Sequence, residues 1–128
     1  MAFTSTDLLK ALGTPAFKVP AFNLATSGVT TLFTFPNLGY GTAKHFVVCI
    51  VADNFSSTAT TATTNFGQSG TATQNDYVSG ASLNPANSPV ILWPPSTNIT
   101  FGNGTVIQAN TTGAGAGTCT LTIWTEDI

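Results

Sequence analysis

Apolar residues in this chain recur mostly with a period of two, the spacing of a strand rather than a helix. The longest unbroken apolar run is Phe46 to Ala52, inside KHFVVCIVAD at Lys44–Asp53. Strict alternation would put Phe46, Val48 and Ile50 on one face and Val47, Cys49 and Val51 on the other. Both faces are then apolar, which predicts a strand covered on both sides, in a sheet interior or at a subunit contact. The run is short for a helix and rich in β-branched residues, so it predicts the central strand of an all-β domain. Residues 118–125 alternate most clearly, with Cys119, Leu121 and Ile123 on one face and Thr118, Thr120, Thr122 and Trp124 on the other. The matched apolar faces of these two segments predict adjacent or facing core strands.

Other strands are predicted at 17–24, 29–35, 55–66 and 90–93. Pro20 lacks an amide hydrogen and makes the first of these an edge or an interrupted strand. Residues 76–78 are read as a short strand or a turn. Residues 98–101 and 105–109 flank Gly102-Asn103-Gly104, a tight-hairpin signal. Loops are predicted at 36–42, 67–75 and 80–89, and a flexible turn at 110–117, NTTGAGAG. Strands at this spacing, without βαβ alternation, predict a β-sandwich, jelly roll or small barrel.

The first residues break the pattern. TSTDLLKALG at 4–13 predicts one short helix, capped by Thr4, Ser5 or Thr6 and closed by Gly13 before Pro15. Its apolar face is Leu8, Leu9 and Leu12. A helix this short is marginal alone and needs a surface to dock on. The organisation expected is an N-terminal arm or helix at 1–14 and one sandwich domain at 15–128.

Composition narrows the function. Charged residues make up 6% of the 128-residue chain, against about 25% in an ordinary soluble domain. There is no arginine, and the cations are Lys10, Lys18 and Lys44. Such a chain cannot neutralise a run of phosphates or present a basic membrane-binding patch, so nucleic acid and membranes are not expected partners. Hydrophobic residues reach 42%, with nine phenylalanines, so a core is available. So little charge leaves a lone domain poorly protected from association, which predicts a homo-oligomer. No segment has the length and apolarity of a membrane helix, and the N-terminus lacks the features of a signal peptide. Synthesis and folding in a cytosol are expected.

Candidate chemistry is sparse. His45 is the single histidine, and no G-x-S-x-G elbow accompanies it. The reading is a strand-edge histidine with a local hydrogen bond, and no enzymatic activity is expected. Asp53 and Asp76 sit beside predicted turns, where aspartate bonds its own backbone. Two cysteines and one histidine do not make a four-ligand zinc site, and no cofactor is implied. Cys49 and Cys119 lie in the two best strands, so a disulfide and a pair of buried thiols both remain open. Trp93, Trp124, Tyr40 and Tyr77 could form a sugar-stacking platform. Trp124, on the threonine face of its strand, suits either a glycan or a subunit interface. Trp93 and Phe101 join it as candidate aromatic anchors of such a contact.

The strand end FTFPN, the strand HFVVCIVAD and the closing strand GAGAGTCTLTIW, among Thr/Ala/Gly-rich strands, resemble the small β-rich virion proteins of tailed bacteriophages. The resemblance covers roughly residues 15–128, and head decoration (cement) proteins are nearest in size and character. It implies a sandwich or jelly roll, often trimeric, bound outside a capsid lattice to the major capsid protein or another virion protein. The product made in the host cytoplasm would then reside in the virion. By position, capsid attachment would fall to residues 1–14 and thus to Leu8, Leu9 and Leu12. Tail, collar and fibre domains share this style, and a carbohydrate-binding module is the competing class.

Overall fold

The structure is a computed structural model that describes residues 17–37, 44–57, 61–70, 76–94 and 99–127. The helix expected at 4–13 lies outside the described residues. Among those described, the strands are β1 (Phe17–Asn23), β2 (Gly28–Thr34), β3 (Lys44–Asp53), β4 (Ala62–Gln68), β5 (Val78–Leu83), β6 (Val90–Leu92), β7 (Phe101–Gly102), β8 (Val106–Gly113) and β9 (Thr118–Asp127). They form two sheets. One has the order β1-β9-β3-β6, with β7 also on β3, and the other has the order β2-β8-β4-β5. Every pairing is antiparallel. The fold is all-β, a sandwich, as the alternation predicts. Pairing is nested: β1 with β9 and β3 with β6 in one sheet, β2 with β8 and β4 with β5 in the other.

The two best strands of the sequence, β3 and β9, are neighbours at the centre of the five-stranded sheet. Their inward faces meet as Ile50↔Ile123 and Ala52↔Leu121. Pro20 sits in β1, an edge strand, where the register shifts between Val19 and Phe22. A proline there deprives no inner ladder of a donor.

Strict alternation fails in β3. Val47 pairs with Thr125 and Cys49 with Trp124, leaving Val48 as an extra residue. This bulge resets the faces. Val47, Ile50 and Ala52 point into the sandwich, whereas Cys49 and Val51 point away from it. The grouping of Phe46, Val48 and Ile50 is thereby corrected. Cys119 belongs to the inward face and Cys49 to the outward one, and both are free, buried thiols.

Other boundaries also move. The strand expected at 55–66 begins only at Ala62 and continues to Gln68. Within the loop expected at 80–89, residues up to Leu83 extend β5, and a 3-10 turn follows at Pro85–Asn87. The Gly102-Asn103-Gly104 turn does close, with Thr105 N–H donating to Gly102 C=O at 3.3 Å. It is not a hairpin, however. His45 takes Phe101 as its partner, while β8 pairs with β2 and β4 in the opposite sheet. A tight turn specifies where a chain reverses, not which strand its arms join.

The first half of the predicted flexible turn at 110–117 belongs to β8, and the second half is a close-packed crossing back to β9. Gly115 donates to Leu24 C=O at 2.7 Å, and Gly117 C=O accepts from Leu24 at 2.9 Å. A Cβ on Gly115 would lie 3.0 Å from the Ala62 nitrogen. Gly117 has φ +73, a left-handed conformation. Glycine meets both demands: close backbone approach and a positive φ.

Aromatic rings close one end of the core. Phe17 of the first sheet stacks on Phe33 of the second at 4.1 Å, and Phe33 meets Phe35 edge-on at 5.0 Å. Phe35 stacks in turn on His45 and Phe101. Elsewhere Phe22, Phe66, Tyr77, Leu83 and Leu121 fill the space between the sheets.

Candidate functional site: the outer face of the five-stranded sheet

Residues paired across an antiparallel ladder share a face, so the register defines the two outer faces of the sandwich. On the four-stranded sheet that face is polar. Asn110 pairs with Asn65 and Val29, and Gln108 with Gly67 and Thr31. Gln108 donates to Thr31 Oγ1 at 3.1 Å, and Asn65 Oδ1 accepts from the Gly80 amide at 2.6 Å. This is the ordinary solvated face of an antiparallel sheet.

The outer face of the five-stranded sheet differs. Phe46 pairs with Glu126, Cys49 with Trp124, and Val51 with Ile91. Cys49, Val51 and Trp124 are buried there as a second apolar cluster, with Val48 and Ile91 packed against it. The apolar character of both faces of β3, read from the sequence, is thus realised by two separate clusters.

Beside that cluster lies an open groove of about 460 Å³, lined by Phe46, Val47, Val48, Trp93, Pro94, Ile99 and Glu126. Val47 and Val48, at the bulge, both contribute to its lining. Trp93, just beyond β6, is 45% exposed and supplies the largest accessible ring. Among the described residues, Glu126 is the charged one in its lining. Such a groove can bury aliphatic or aromatic side chains and place one cation at its rim.

Tyr77 ties this region to the core. Its hydroxyl lies 3.1 Å from Leu92 C=O and 3.5 Å from Val48 C=O. The β3–β6 ladder runs only from Ala52↔Val90 to Ile50↔Leu92. Next to it the bulge disturbs backbone pairing, and the phenol supplies a donor there.

The residues singled out in the sequence fare differently. Trp93 is at the groove. Trp124 is on the same outer face but only 8% exposed, packed over Cys49 and Val51. Phe101 is 4% exposed and stacked on Phe35, so the expectation of an outward-facing anchor is corrected. Its strand joins β3 instead of forming a hairpin, and that turns the ring inward. Leu8, Leu9 and Leu12 lie outside the described residues. Phe46, Val48, Pro94, Ile99 and Glu126 also line the groove, and no motif marks them as site residues. The available signal was the two-sided apolarity of β3 close to a lone tryptophan.

His45, read as a strand-edge histidine with a local hydrogen bond, is buried near the start of β3. It donates from Nε2 to Asn103 Oδ1 at 2.8 Å and stacks on Phe35. Burial pushes the Cys49 thiol up to about 11. Burial, and then the charge of Asp53, push Cys119 up to about 12. Neither environment favours a thiolate. Burial also raises Tyr77, with Cys49 adding to the shift. Among the described residues, no three His, Cys, Asp or Glu side chains are grouped to hold a metal ion, and no helix is long and apolar enough to cross a membrane.

No protein-family model and no curated protein matches the sequence. Among solved structures, the fold is similar to that of a chain in the cyanophage Pam1 capsid asymmetric unit. The TM-score is 0.51 at 21% identity, over 85% of this chain and 79% of that one. At that identity the likeness is one of fold. It spans most of both chains.

Proposed function

We propose that this protein is a non-enzymatic structural component of a phage virion that decorates and stabilises the capsid from outside as a homo-oligomer, most simply a trimer. The observation that carries the reading is the fold shared, over most of both chains, with a chain of a phage capsid asymmetric unit. The nested pairing that alternates between sheets supports a jelly roll, an architecture that viral capsid domains use. A surface with so little charge favours assembly. The apolar outer face of the five-stranded sheet gives an assembly something to bury, in contrast to the polar face opposite. Attachment to the shell is assigned to residues 1–14 through Leu8, Leu9 and Leu12, with the major capsid protein or another virion protein as partner. The protein then resides in the virion after synthesis in the host cytoplasm.

Two measurements test this. Particles purified from the source that encodes the chain should contain it in regular stoichiometry, with cryo-EM density on the head exterior. Density only at the tail, collar or fibres would move the assignment there, and absence from particles would sink it. Light scattering at tens of micromolar should show an oligomer, and the chain without residues 1–12 should remain oligomeric yet fail to sediment with undecorated heads. A monomer, or undiminished binding by the truncated chain, refutes the corresponding half.

One observation favours a second reading. Trp93 is a half-exposed ring at the edge of a groove, and such a ring can stack on a sugar. A glycan array that finds a ligand lost in Trp93→Ala would support a carbohydrate-binding module.

A further inference from the structure

We infer that Asn103 is a latent modification site, the place where this chain rearranges to isoaspartate, and that the hydrogen bond from His45 holds it unreacted in the folded protein. The inference is independent of whether the protein binds a shell.

An asparagine side-chain amide is open to attack by the main-chain nitrogen of the next residue, and most so when that residue is glycine, which has no Cβ to obstruct the approach. Asn103-Gly104 is the one such pair in the chain. Gly104 is exposed at φ +73, and a Cβ built on it would meet nothing within 4 Å. In the reaction the Gly104 nitrogen gives up its proton and bonds to Asn103 Cγ. The Cγ–Nδ2 bond breaks, and Nδ2 takes a proton from solvent and leaves as ammonia. The cyclic imide then adds water. Opening at Cγ gives aspartate, and opening at the main-chain carbonyl of residue 103 gives isoaspartate.

The folded turn works against this. His45 donates from Nε2 to Asn103 Oδ1 at 2.8 Å. Its imidazole is buried and stacked on Phe35, so it is held against following the amide. Attack makes the planar Cγ tetrahedral and draws it onto the Gly104 nitrogen, which pulls Oδ1 out of line with that donor. Across the turn, Thr105 N–H donates to Gly102 C=O at 3.3 Å, and Phe101 and Gly102 pair with His45 and Lys44 on β3. Reaction therefore waits on local opening of the turn. Isoaspartate reroutes the main chain through Cβ and Cγ and adds a carbon between Gly102 and Gly104. A turn lengthened in this way no longer fits both hydrogen bonds, and its strain falls on β7, which keeps Phe101 inside.

The test follows each asparagine by peptide mapping while the full chain is held at mildly basic pH, with isoaspartate read by enzymatic methylation. In urea-unfolded protein Asn103 should react ahead of every other asparagine. In native protein it should react at least about tenfold more slowly than in urea, since only the opened turn reacts. Another asparagine leading in urea, or equal Asn103 rates in the two states, would overturn the inference without any variant. His45→Phe, which keeps a stacked ring, should speed native modification of Asn103 about fivefold, the change that one net hydrogen bond permits. Asn87, exposed and followed by serine, should keep its rate. An equal rise at Asn87 or an unchanged Asn103 rate would refute the protective role of His45. So would a slower Asn103 rate, the result expected if the imidazole instead stabilises the developing oxyanion. None of these measurements needs a particle, so failure here leaves the virion assignment standing.

Discussion

The imidazole of His45 lies face to face with the ring of Phe35, their centroids 4.8 Å apart and their planes 16° from parallel. One ring comes from the first sheet and the other from the chain just beyond β2. Together with the hydrogen bond to Asn103, this contact makes the single histidine a packing residue. His45→Ala should lose about 3 kcal/mol of stability, since it removes a buried ring and leaves a void. His45→Phe should keep the stacking and lose only the hydrogen bond, costing about 1 kcal/mol. Urea denaturation of the two variants checks the order, and equal losses would refute the assignment of stacking as the larger share.

Tyr77 makes a similar point at the bulge. Its hydroxyl bonds Leu92 C=O at 3.1 Å beside the end of the β3–β6 ladder. Tyr77→Phe keeps the ring and removes that donor, with an expected loss of about 1–2 kcal/mol. Hydrogen exchange should also rise in β6 more than in β9. A uniform change across the sheet would argue against a local tie.

The glycines at the crossing into β9 are required by geometry. Gly117→Ala forces a side chain into a left-handed backbone beside Ser56 and Ser57, at about 1–2 kcal/mol from the conformation alone. Gly115→Ala brings a methyl group against the backbone of Thr61 and Ala62. Both variants should lower the melting temperature, whereas Gly104→Ala meets nothing within 4 Å and should show only its backbone cost.

The cysteines set a basic limit. In the unfolded chain the thiols ionise near their ordinary value of 9.0, whereas the native fold holds Cys49 protonated to about 11 and Cys119 to about 12. Between those values the native state keeps protons the unfolded chain has released. Stability therefore falls as pH rises. Their contribution is complete below pH 9.0, declines above it, and is spent once pH passes the native values. Cys49→Ala should flatten part of that decline in denaturation curves measured across the range. In native protein near neutral pH, Ellman's reagent should find neither thiol until denaturant is added.

The strands and their class were legible in the chain because alternation is local. The unbroken, β-branched apolar run in 44–53 and the alternation in 118–125 mark strands, matched apolar faces mark neighbours, and Pro20 marks an edge, all before any partner is known. The two-sided apolarity of β3 even announced the outer cluster. What tertiary structure alone decided is how the pieces pair. Gly102-Asn103-Gly104 encodes a reversal, but whether Phe101 joins β8 or β3 depends on contacts distant in sequence, and that choice buried a ring expected outside. One inserted residue at Val48 exchanged the faces of everything before it, because a strand has no third face on which to absorb a shift. The groove is lined by residues of β3, by Trp93 and Pro94 just past β6, and by residues as far apart as Phe46 and Glu126. Periodicity along one segment carries no record of such a meeting, since long-range pairing creates it.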